Sequence, residues 1–79
     1  MMTEEELTTK RFNQMGAKIA YYRRLKQIKQ IDLAYSVGIS EQYLSRIERG
    51  RQTTGLTVLT LFRLADMLNV KIDDFLKEE

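Results

Sequence analysis

The 79-residue chain contains no cysteine, no histidine and no proline. Without cysteine neither a disulfide framework nor a thiolate zinc site can support it, so a hydrophobic share of 43 % must supply the core unaided. Without cysteine and histidine there is no imidazole base, no thiolate nucleophile and no zinc constellation, and the four glycines form no phosphate-cradling loop. Asp73 and Asp74 are adjacent in the chain, which on a helix turns them about 100° apart rather than toward a shared proton; they read as anions at a helix start. The expectation is a protein that is not an enzyme, with no cofactor, metal or small-molecule ligand. No segment approaches the ~18 apolar residues of a membrane span, and no apolar run follows the start, so a cytoplasmic protein is expected. A chain this short makes one domain and buries only roughly 60 % of its unfolded surface.

Charged residues make up 30 % of the chain, but their signs nearly cancel in total and are uneven in place. The net charge of +2 divides into an acidic start, a basic middle and an acidic end. Residues 1–9 carry −3 through Glu4, Glu5 and Glu6, residues 10–51 carry +7, and residues 52–79 carry −2. A basic block of this kind is the electrostatic footprint of a nucleic-acid face, although a solvated mixed-charge surface gives the same count.

With no proline, and with no β-branched residues alternating with polar ones over a strand length, the periodicity is helical throughout. Phe12, Met15, Ile19 and Tyr22 recur at three, four and three, with Leu25 close beside them, and Lys10, Arg11, Lys18, Arg24 and Lys26 form the surface face. Residues 1–9 precede that pattern as a flexible or extra-helical tail, or as an additional helical turn; residues 10–79 form the domain. A second helix is predicted over Gln30–Ser36, with Leu33, Ala34 and Val37 on one side and Gly38 as its left-handed stop. Ser40 caps a third helix that turns Leu44 and Ile47 inward and ends at Gly50. Arg51–Gly55 is a polar loop. Thr57 caps a fourth helix with Val58, Leu61, Ala65 and Leu68 inward and Asn69 at its end, and a last turn carries Ile72, Phe75 and Leu76.

Two short helices around a glycine turn have the layout of a helix-turn-helix, in which the first lies across the DNA backbone and the second enters the major groove. The order and spacing of Gly16-x-x-Ile19, Tyr22-Arg23, Gln30-x-x-Leu33-Ala34, Val37-Gly38-Ile39-Ser40, Tyr43-Leu44-Ser45-Arg46-Ile47-Glu48-x-Gly50 and Leu64-Ala65-x-x-Leu68-x-Val70 resemble the lambda repressor and Cro class, the XRE family. The resemblance covers Gly16 to Phe75. It implies an all-α, compact five-helix lambda-repressor-like bundle and a sequence-specific transcriptional regulator, of the repressor kind, that binds double-stranded DNA as a homodimer.

The resemblance also implies roles. Gln42 and Arg46 read bases, arginine gripping guanine O6/N7 and glutamine adenine N6/N7. Glu41 either accepts from cytosine N4 or only favours the helix dipole. Tyr43 packs or touches phosphate. Gln30 binds a phosphate oxygen, and Lys29, Ser40, Ser45, Arg49, Arg51 and Thr53 belong with the backbone contacts, which position without reading sequence. Arg23 and Glu48 form an internal ion pair.

Three features depart from the family pattern. Lys29 stands where Ser or Thr caps the second helix, Gln27 stands where Gly closes the first, and the stretch from Gly50 to Ala65 is about two residues longer than usual and lacks its proline. Leu56, Leu59 and Met67 fall off the inward stripe of the fourth helix, and Phe75 and Leu76 cannot both face inward, which favours a homodimer over scattered apolar surface. The competing reading is a protein-interaction module, or an antitoxin-type partner of another protein, on the same fold.

Overall fold

A Thr-x-x-Glu box starts the first helix well ahead of its apolar pattern. In the computed structural model, which describes residues 1–51 and 56–77, the Thr3 hydroxyl accepts from the Glu6 N–H and the Glu6 carboxylate accepts from the Thr3 N–H, both at 3.1 Å. The backbone N–H of Thr3 first, and its hydroxyl second, hold the Glu6 carboxyl below the ordinary glutamate range. Helix α1 therefore runs over Glu4–Leu25, and residues 4–9, Leu7 apart, are exposed helical turns. It is followed by α2 (Gln30–Val37), α3 (Glu41–Glu48), α4 (Val58–Leu68) and α5 (Ile72–Leu76), with no strand among the described residues.

Four of these helices close in the same way. After α1 the Gln27 N–H bonds the Arg24 carbonyl at 2.9 Å and the Ile28 N–H bonds that of Arg23 at 3.1 Å. The same nested pair recurs at Gly38 and Ile39, at Gly50 and Arg51, and at Asn69 and Val70. Each such closure puts its first residue in the left-handed region. Gly38, Gly50 and Asn69 are suited to that region, but Gln27 occupies it at φ 57° with a full side chain. The departure at Gln27 is thus one of residue type only, because the turn itself is made. At the starts, Ser40 accepts from the Tyr43 N–H and Thr57 from the Thr60 N–H, while Lys29 gives α2 no side-chain cap. Asp74 accepts from the Lys71 N–H at 3.0 Å, so the Asp73–Asp74 pair does serve a helix start.

The core is built from Met15 and Ile19 of α1, Leu33, Ala34 and Val37 of α2, Leu44 and Ile47 of α3, Leu61, Leu64, Ala65 and Leu68 of α4, and Phe75 of α5. Phe12 and Tyr22 lean on it half-buried, and the Tyr22 ring meets Phe75 at 6.2 Å between centroids. Two positions differ from the periodic reading. Leu25 is exposed because it lies about 60° around the helix from Tyr22, off the inward stripe. Val58 shares the angular face of Ala65 but is exposed, because as the first residue of α4 its side chain is tilted toward the helix start, past the packed layer. Leu64 closes the stripe instead.

The crossing of α1 and α3 fixes the pose of the second helix of the pair. A Cβ at Gly16 would overlap the Ile47 carbonyl, so the end of α3 lies directly against the α1 backbone. A Cβ at Gly50 would overlap Asn13, which pins the chain leaving α3 to the same helix. With Leu44 and Ile47 buried beneath, each contributing roughly 1.5–3 kcal/mol, α3 is held on two sides and presents its remaining face outward.

Candidate nucleic-acid interface

That outward face carries the residues singled out from the sequence. Gln42 and Arg46 are four apart on α3, therefore one above the other, and both are exposed. Together with Gln30, Glu41, Ser45 and Arg49 they line one shallow depression of roughly 420 Å³. Ser40 is exposed at the start of α3 with its hydroxyl engaged as the cap, and Lys29 is exposed at the start of α2. Arg49 donates from Nε to the Ser45 carbonyl at 3.3 Å, so its guanidinium lies back along the helix. Arg51 is exposed and its N–H donates to the Arg46 carbonyl at 2.8 Å. Thr53, and with it most of the loop over 51–55, lies outside the described residues.

Behind this face stands the ion pair. Arg23 donates to Glu48 through Nε at 2.6 Å and through Nη2 at 2.9 Å, a two-point grip, while its Nη1 donates to the Ile28 carbonyl at 2.9 Å. The side chains are only 11 % and 4 % exposed. The same network takes in a residue that the sequence assigned elsewhere. Gln30 donates from Nε2 to Glu48 Oε1 at 3.1 Å, tying the start of α2 to the end of α3. One carboxylate thus receives donors from α1 and α2 and holds the two helices of the motif at one angle. Side chains 18 positions apart have no local sequence signal, so this bond could not be read in advance.

Arg46 has a second neighbour of interest. Its Cζ lies 5.6 Å from the centroid of the Tyr43 ring. Tyr43 is half-buried and packs against the core. Among the described residues no group of three or more histidine, cysteine, aspartate or glutamate side chains could hold a metal, and no helix is long and apolar enough to cross a membrane.

An α2–turn–α3 unit pinned at a fixed angle, with polar side chains projecting from its second helix, defines a helix-turn-helix protein. The sequence pattern of the helix-turn-helix family matches residues 19–75. An HTH-type transcriptional regulator of Methanocaldococcus jannaschii is 38 % identical over 60 residues, covering 76 % of this chain and 88 % of that protein. One of Sinorhizobium fredii is 43 % identical over 56 residues, covering 71 % and 70 %. The crystal structure of SinR, a master regulator of biofilm formation in complex with DNA, superposes with a TM-score of 0.73 at 32 % identity, over 80 % of this chain and 98 % of that one. The chain belongs to the helix-turn-helix family, in its lambda repressor and Cro (XRE) class. It is a DNA-binding transcription regulator and not an enzyme.

Proposed function

We propose that the protein is a repressor that reads an operator as a two-fold homodimer, with α3 in the major groove. The observation that carries this reading is the shared exposure of Gln42 and Arg46 on the one face of α3 that the core leaves open. Arg46 grips guanine and Gln42 grips adenine, each good pair contributing about 1–3 kcal/mol of discrimination. Glu41 stands beside them, able to accept from cytosine N4. The uncapped N–H groups at the start of α2, with Lys29 and Gln30, meet phosphate, and Ser40, Tyr43, Ser45, Arg49 and Arg51 border the same groove; Thr53, outside the described residues, joins the backbone contacts on the resemblance alone. SinR, whose structure contains DNA, supports the partner class. A DNA target supports reading the protein as cytoplasmic.

A second copy docks on the side away from the reading helix. Val58, Leu59, Phe62 and Met67 of α4 and Leu76 of α5 are exposed, and these helices lie in the acidic end of the chain, so pairing there leaves the basic face open. A dimer supplies what one module lacks, since a single module meets few base pairs and paired half-sites sit about 34–36 Å apart.

Selection of duplexes from a random pool at moderate salt tests both parts. The expected result is an enriched inverted repeat that loses one symmetric base preference in Arg46→Ala. Leu59→Lys with Phe62→Lys is expected to yield a monomer by sedimentation that retains only half-site binding. A flat pool would overturn the reading of sequence, and an unchanged dimer in the double variant would overturn the docking face.

A further inference from the structure

We propose that Tyr43 is a positioning residue for Arg46: its ring is the platform on which the base-reading guanidinium rests, so Tyr43 sharpens the preference at the base pair that Arg46 meets. The inference rests on the assignment of Arg46 as a reading residue. It starts from the anchoring of the ring. Tyr43 is half-buried against the core cluster, and its backbone N–H is fixed by the Ser40 hydroxyl at 3.0 Å. One turn on, Arg46 is exposed, and its Cζ stands over the Tyr43 ring at 5.6 Å from the centroid. The distance lies inside the range in which a cation is attracted to the face of an aromatic ring.

A guanidinium needs both direction and plane to grip guanine O6 and N7 together, and a long exposed side chain spreads over many rotamers. A ring fixed by the core removes part of that spread before DNA arrives. Tyr43 thus connects the rigid interior to the side chain whose orientation decides the reading at that base pair. Gln42 projects from the same helix without such a support among the contacts described, so the effect falls on one base pair and leaves the other alone. At an exposed site the attraction corresponds to about a two- to fivefold population bias. The same factor is the expected loss of discrimination.

The alternative role for Tyr43 is a hydroxyl contact to phosphate, which acts on every sequence equally. Tyr43→Phe keeps the ring and removes the hydroxyl, whereas Tyr43→Leu keeps the packing and removes the ring. Both are compared with Arg46→Ala on the selected operator and on its single-base variants, after circular dichroism confirms the fold. The platform predicts that Tyr43→Phe retains the wild-type profile within twofold. Tyr43→Leu should lose about two- to fivefold of discrimination at the base pair flattened by Arg46→Ala and nowhere else, and add nothing to Arg46→Ala at that pair. A uniform loss in Tyr43→Leu, or an equal loss in Tyr43→Phe, overturns the platform while leaving Arg46 as a reader. A flat result for Arg46→Ala overturns the reading assignment and the platform with it. In the wild-type protein itself, the Arg46 δ-protons should show an upfield ring-current shift; its absence overturns the proposal even if Tyr43→Leu does not fold.

Discussion

Replacing Arg23 by alanine removes three donors at once, two from Glu48 and one from the Ile28 carbonyl. Glu48 cannot turn to solvent, since its side chain is 4 % exposed under the α1–α3 crossing, and of these partners only the Gln30 amide remains on it. Stranding a buried charge in this way costs about 3–5 kcal/mol. A chain of this size has roughly 4–12 kcal/mol of total stability. One kilocalorie corresponds to about 4–8 °C in a domain of this length, so the melting temperature should fall by at least roughly 12 °C. Thermal melts followed by circular dichroism measure the loss, and duplex selection at a temperature where the variant is still folded measures base preference, which should not change. Replacing both partners by apolar residues, Arg23→Met with Glu48→Leu, should recover most of the lost stability, because the pair's attraction is largely offset by its desolvation. A drop of only a few degrees in Arg23→Ala, or unchanged stability with an altered operator, would refute the view that this pair fixes the motif rather than reads DNA.

Gln27→Gly relieves a left-handed residue in a turn that otherwise stays as it is, and should raise stability by about 0.5–1 kcal/mol after the extra chain entropy of glycine is counted; denaturant unfolding checks it, and a lower midpoint would show that the Gln27 side chain holds something the turn geometry does not reveal. The Glu6 carboxyl is held below its ordinary range in the folded protein, so what the capping box contributes is present above the ordinary glutamate range and is lost as the pH falls through the lowered value. The protection of the Glu6 and Leu7 amides, taken relative to the intrinsic exchange rate at each pH, should therefore fall on acidification in wild type, and already be low at neutral pH in Glu6→Ala.

What could be read in the sequence was local. Ser40, Thr57, Gly38 and Asn69 announce helix ends because a cap or a left-handed turn is satisfied within four residues, and each was found in its place. Thr3 and Glu6 carry an equally local signal that stands ahead of the apolar periodicity of α1. Periodicity located the inward faces but failed at Leu25, which the stripe had already left behind, and at Val58, where the angle was right and the layer beneath had ended. The site divides along the same line. Exposure of Gln42 and Arg46 follows from the turn of α3 once Leu44 and Ile47 are taken as inward, whereas Arg23 and Glu48 lie 25 residues apart and only a resemblance connected them. The Gln30–Glu48 bond had neither kind of signal, and the i, i+3 spacing of Tyr43 and Arg46 makes them helix neighbours without fixing that the guanidinium comes to lie over the ring. Both depend on where a flexible side chain comes to rest after the helices are packed. The reading helix therefore owes its chemistry to its own sequence, but its aim to contacts made by residues on three different helices.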